Sequence, residues 1–151
     1  MKKHEISFIE TLREQITNWS KTEIAKVNRW SKYIIHTPDL IHLVIKLSNE
    51  EAIPVDSRAK LAAVISYFMS PMDMIPESYW GALGYVDDIA LAAYLLKFIQ
   101  NQVGSELLNK HWTGQTDLTE LITGIVADAE PMVGKDYWPK LKTTLKLPEN
   151  F

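Results

Sequence analysis

The sequence predicts an all-α fold, a single-domain helical bundle over residues 1–151, and three observations carry that prediction. Apolar residues recur at three- and four-residue steps along most of the chain, the spacing that lines one face of a helix. Several of these stripes begin at a Ser, Thr or Asp with helix-start chemistry around it. No stretch shows the strict apolar/polar alternation of a half-buried strand. With 151 residues, 46% of them hydrophobic and 23% charged, the chain is long enough to bury one continuous core.

The elements follow in order. Ile9, Leu12, Ile16 and Trp19 form one stripe, and Ile24, Val27, Trp30 (or Ser31) and Ile34 continue it, so residues 5–35 are expected to make one bent helix or two. Between them, Ser20 and Glu23 of "SKTE" can satisfy each other's free amides as a capping box. In "HTPDL", Thr37 suits the N-cap, Pro38 the first helical position and Asp39 the positive helix end, opening a helix to about Leu47. Asp56 caps a helix over about 56–69, whose apolar side is Leu61, Val64, Ile65 and Phe68. Residues 70–84, "SPMDMIPESYWGALG", hold two Pro and two Gly and predict a break.

A long buried helix over about 85–103 follows, with Ile89, Ala92, Leu95, Leu96 and Ile99 inward and Gly104 ending it in a left-handed turn. A short helix near 105–112 comes next. "DLTE" at 117–120 is a second capping box and opens a helix to about Glu130; a last, basic helix begins near Asp136. The helix–loop–helix of 56–69 and 85–103 is expected at the centre of a core over about 38–103, with helices 5–35 and 105–146 packed on it. Its apolar runs, "LAAVISYFM" and "IALAAYLLKFI", fall short of the ~20 residues that span a bilayer.

Composition removes several function classes. There is no Cys, hence no disulfide framework, thiolate metal site or Cys nucleophile. A net charge of −3 argues against nucleic acid as a partner, since that requires a basic face. "MKKHEISFIETLREQ" has Glu5, Glu10 and Glu14 where a secretory leader would be apolar, which points to the cytoplasm. No Gly-rich phosphate loop exists, and Ser66 and Ser70 have no nearby base in sequence. His36 and His42 flank Asp39 but sit before and within a helix, so both are taken as surface or cap histidines.

Between residues 60 and 99, Ser70, Pro71, Asp73 and Pro76 are followed by Gly84, Tyr85, Asp87 and Asp88, between two apolar helices. This resembles the YkvA-like family, a bacterial and archaeal domain of unknown function marked by Ser-Pro-x-Asp-x-x-Pro-Asp and Gly-Tyr-x-Asp-Asp. Glu77 stands where the family's pattern has Asp, one methylene longer. The resemblance implies no activity; some of the family's members occur in membrane-associated proteins, which makes peripheral membrane contact one expectation.

Two readings of the acidic residues stay open. In one, the aspartates serve the fold: Asp73 accepts from turn amides, and Asp87 and Asp88 meet the free N–H groups and positive dipole of a helix start. In the other, Asp73, Glu77, Asp87 and Asp88 surround a hard cation such as Mg²⁺, Mn²⁺ or Ca²⁺, although neighbouring helical residues point about 100° apart. Tyr-x-Asp-Asp is also how reverse transcriptases present metal ligands, but they do so on a β-hairpin, whereas here it opens a helix.

Tyr79 and Trp80, on a Gly-flanked loop, are candidates for a partner-binding lip. Lys135, Lys140, Lys142 and Lys146 could touch anionic lipid or an acidic partner. The leading expectation is a non-enzymatic protein–protein interaction or scaffold module with no cofactor. The alternative is a divalent-metal-binding domain or metal-dependent hydrolase.

Overall fold

The computed structural model describes the backbone of residues 1–74 and 84–148, and the side chains of these except 70–74. The described residues are all-helical, without a strand. They form α1 (Lys3–Ser20), α2 (Glu23–Val27), α3 (Ser31–Ile34), α4 (Thr37–Ser48), α5 (Val55–Met74), α6 (Val86–Val103), α7 (Ser105–His111), α8 (Leu118–Val133) and α9 (Tyr137–Thr143).

One apolar cluster runs through all the longer helices. At its middle is α6, which packs most extensively on α8 and also meets α3, α4, α5, α7 and α9. Ile89, Ala92, Leu95, Leu96 and Ile99 are all fully buried, and so are Ala90 and Ala93 on its other sides. A helix that is apolar all round belongs inside a protein, and the alanines let neighbours approach it closely.

Helix α6 also packs on α4, where Leu40, Ile41, Leu43, Val44 and Leu47 have no exposed surface. Helix α5, the partner expected over residues 56–69, packs on α6 as well, and it buries one face, through Leu61, Val64 and Phe68. Ala62, Ala63, Ser66 and Tyr67 lie at the surface. Charge decides this: Arg58 and Lys60 on α5 need water, while α4 from Leu40 to Leu47 carries only His42 and Lys46 as polar residues.

Helix ends differ from the sequence in instructive ways. The predicted Ser20–Glu23 capping box is replaced by Thr22, whose hydroxyl accepts from the Ala25 amide, while Ser20 Oγ turns back to donate to the Thr17 carbonyl. Residues 21–35 therefore form two short helices instead of continuing α1, and Asn28 Oδ1 holds the turn between them by accepting from the Trp30 amide at 2.8 Å. The proposed stripe fails there, with Ile24 46% and Val27 83% exposed. Thr37 is the first residue of α4 rather than its cap; fully buried, its hydroxyl donates to the Ile34 carbonyl at 2.6 Å. Asp56 likewise falls within the first turn of α5, not at its cap.

Two helices end later than predicted. Helix α5 continues through Pro71 to Met74, and α8 through Pro131 to Val133. A proline in the final turn forgoes one amide bond near an end that is already short of partners, so the helix survives it. Asp117 does cap α8, accepting from the Glu120 amide at 2.9 Å. Gly104 ends α6 at φ 96°, ψ 154°, an extended positive-φ conformation instead of the left-handed helical turn expected. Only glycine enters that region without strain.

Candidate functional site

The acidic corner begins where the chain re-enters the core at Gly84 and Tyr85. The Tyr85 ring is buried and stacks on Phe68 of α5, with centroids 6.3 Å apart and planes inclined by 22°. Burial and the nearby Asp88 carboxylate push its phenol up to about 12. Tyr85 occupies the N-cap position of α6 and its side chain caps nothing. Asp87 and Asp88 are therefore the second and third residues of the helix, on a first turn pinned between α5 and the core.

In that position the free amides and helix dipole should hold a carboxylate ionised. Desolvation wins instead. Burial raises the Asp87 carboxyl above its ordinary value, and burial followed by repulsion from Asp87 lifts Asp88 to about 7. Oδ2 of Asp88 is buried with no hydrogen-bond partner among the described residues. Among the described residues this inner oxygen meets no amide, so simple capping leaves it unaccounted for. Two half-buried carboxylates one residue apart, with one oxygen unmatched, form a place that would accept a proton or a cation.

Of the other residues singled out in the sequence, Ser70, Pro71 and Asp73 lie on the last turns of α5, where only the backbone is described. Pro76, Glu77, Tyr79 and Trp80 lie outside the described residues. Among the described residues no group of three or more His, Asp or Glu side chains is close enough to hold a metal ion. The corner contributes two carboxylates, on a helix and not on the hairpin a polymerase would need.

A second polar region lies where α1, α4 and α7 meet, and it was not legible in the sequence. Asp39 Oδ1 accepts from Arg13 Nη2 at 3.0 Å and from the Thr113 hydroxyl at 3.2 Å. His111 Nε2 lies 3.2 Å from Glu50 Oε2. Between these pairs His42 is half-buried, its Nδ1 unmatched among the described residues. Burial, then the charges of Lys46, Arg13 and His111, pull its pKa down against the opposing pull of Asp39. These contacts join residues 26, 74 and 61 positions apart, so spacing along the chain could not reveal them. His36 stands at the N-cap of α4 without a side-chain cap bond, and burial lowers its pKa as well.

The basic tail is partly committed inside the molecule. Lys142 Nζ sits 5.7 Å from the Tyr94 ring and 5.6 Å from the Trp138 ring, where a cation is attracted by aromatic faces. A groove of about 570 Å³ between α5, α6 and the C-terminal turn is lined by Ser57, Lys60, Gln102, Thr144 and Lys146 among others. Its polar groups largely satisfy one another: Ser57 donates to Gln102 at 2.8 Å, and Lys60 to the Leu145 carbonyl at 2.7 Å. Among the described residues no helix is long and apolar enough to cross a membrane.

Comparison with known proteins gives one relative over most of the chain and one family match over a shorter segment. The chain is 27% identical over 111 residues to "Uncharacterized protein ORF9" of Methanothermobacter thermautotrophicus, covering 74% of this chain and 73% of that protein. No solved structure shows significant similarity to it. Residues 57–94, from the first turn of α5 to the middle of α6, match the family described as "Protein of unknown function (DUF1232)".

Proposed function

We propose that the protein is a cation-binding helical module, with Asp87 and Asp88 supplying carboxylate ligands at the start of α6. Asp73 and Glu77 are the further ligands we assign to it, and the segment that carries them is, in this reading, the YkvA-like helix–loop–helix. The observation that carries the proposal is the buried Asp88 Oδ2, unmatched among the described residues beside a second half-buried carboxylate. A divalent cation would offset the repulsion and the desolvation that together raise the Asp88 pKa. Mg²⁺, Mn²⁺ and Ca²⁺ all take oxygen ligands and fit this chemistry.

Calorimetric titration of the full chain with each metal tests it. Binding at or below millimolar concentration, lost in the Asp87→Asn/Asp88→Asn double variant, is expected. Absence of binding by all three at millimolar metal defeats the proposal.

A second reading is a protein–protein interaction or scaffold module contacting its partner through Tyr79 and Trp80. It is favoured by Tyr67, an aromatic 39% exposed on α5 one turn before Ser70-Pro71, since exposed aromatics can anchor a partner. Replacing Tyr79 and Trp80 together by Ala should release a co-purifying partner without loss of stability; retention of every partner would remove those residues from the contact.

A further inference from the structure

Residues 21–35 combine two features. The first is apolar exposure. Val27 is 83% exposed, more than any other large hydrophobic side chain among the described residues, and Ile24 and Ile35 are 46% and 45% exposed. On α2 the residues Ile24 and Val27 are three apart and share a side, while Ala25, 5% exposed, is turned to the core. The second feature is charge. Lys21, Lys26, Arg29 and Lys32 are all exposed, and Glu23 is the only acidic residue in the stretch. This local excess of positive charge stands out in a chain whose net charge is −3.

The exposure is enforced by the packing around it. The Ser31 hydroxyl donates to the Ala25 carbonyl, joining α2 to α3. Ile34 is fully buried, and the Tyr33 hydroxyl donates to Asp128 of α8. With the inward faces fixed in this way, Ile24, Val27 and Ile35 cannot turn inward without breaking those contacts. The aromatic rings nearby are already occupied: the Arg29 guanidinium lies 4.2 Å over the Trp30 ring, and Lys32 Nζ lies 5.0 Å from the Tyr33 centroid. Single-stranded nucleic acid would stack its bases on free aromatic platforms, which this stretch does not offer.

We propose that α2 and α3 form a docking surface for an anionic lipid bilayer. Ile24, Val27 and Ile35 enter the boundary between headgroups and acyl chains, while Lys26, Arg29 and Lys32 meet lipid phosphates. Charge complementarity selects this occupant: apolar side chains set among basic ones are the composition of interfacial segments, and each basic residue near an anionic surface contributes to binding. The proposal does not depend on the cation site at the start of α6, and it places the lipid contact away from the C-terminal lysines.

The test is co-sedimentation of the full chain with two kinds of vesicle, phosphatidylcholine alone and a two-to-one mixture of phosphatidylcholine and phosphatidylserine. Binding to the mixed vesicles only, weakening as salt is raised, is expected. Lys26→Ala and Arg29→Ala should each weaken it about fivefold, and Val27→Glu about tenfold or more. Val27 is so exposed that its replacement should leave the melting temperature unchanged, which a thermal melt checks. Val55→Glu, on α5 and itself 69% exposed, is the control and should bind as the parent does. The proposal is overturned by no vesicle binding, by equal binding to neutral vesicles, by full binding of Val27→Glu, or by an equal loss in Val55→Glu. It is also overturned if sedimentation equilibrium shows a dimer that Val27→Glu dissociates while vesicles stay unbound, since a second copy would then be the occupant.

Discussion

Replacing Asp88 by Asn asks whether the acidic corner serves the fold or costs it stability. The folded Asp88 carboxyl keeps its proton up to about pH 7, against an ordinary value of 3.8. Between those values the native state binds more protons than the unfolded state, so stability falls as pH rises through that window and is fully recovered below it. Three units at ~1.4 kcal/mol each give a ceiling of about 4 kcal/mol. Asp88 retains some exposed surface, and local relaxation reduces the penalty further, so about 1–3 kcal/mol is expected at pH 8. Asn keeps the shape and removes the charge. In a metal-free buffer with chelator, Asp88→Asn should therefore raise stability at pH 8 by that amount, or about 4–8 °C in melting temperature for 2 kcal/mol in a chain of this size. At pH 4 the two proteins should melt together. A variant less stable than its parent at pH 8 would refute the reasoning, because a carboxylate that holds the helix end by its dipole is worth ~0.3–1 kcal/mol in the opposite direction.

Two further outcomes are expected. Gly104→Ala places a methyl group in open space, with nothing within 4 Å, yet at φ 96°, so chemical denaturation should show a loss of about 1–3 kcal/mol from backbone strain alone; an unchanged midpoint would contradict the conformation. His42, whose pKa is lowered by burial, binds fewer protons when folded than when unfolded, so its contribution to stability is lost as pH falls below 6.5. Its imidazole resonances should titrate with a midpoint below 6.5, and a midpoint at or above that value would remove the buried position.

The helical class and most helix locations were legible because local signals agree with the packing. Ile89, Ala92, Leu95, Leu96 and Ile99 carry the inward face of α6 in their spacing, and all five are fully buried. Where two local signals compete, tertiary context decides. Ser20 and Thr22 both suit a cap, and Thr22 takes it because α1 extends through Ser20. Ile24 and Val27 read as core because periodicity reports a face and not what lies opposite it. The corner at Asp87 and Asp88 was visible as a motif, but whether burial or the helix dipole controls their charge depends on neighbours distant in sequence. The seam of Arg13, Asp39, His42 and His111 depends wholly on such contacts.

The position of α6 also sets a limit on autonomy. The matched residues 57–94 comprise most of α5 and the first half of α6, a length below the roughly 40 residues at which a domain can hold itself together unaided. Within α6, the sides carrying Ala90 and Ala93 are as dry as those carrying Ile89 and Leu96. Cut out alone, this helix pair would leave bare the surface that α4 and α8 now cover. The segment is thus an insert that needs a housing, and in this chain α4 and α8 supply it as a dry wall.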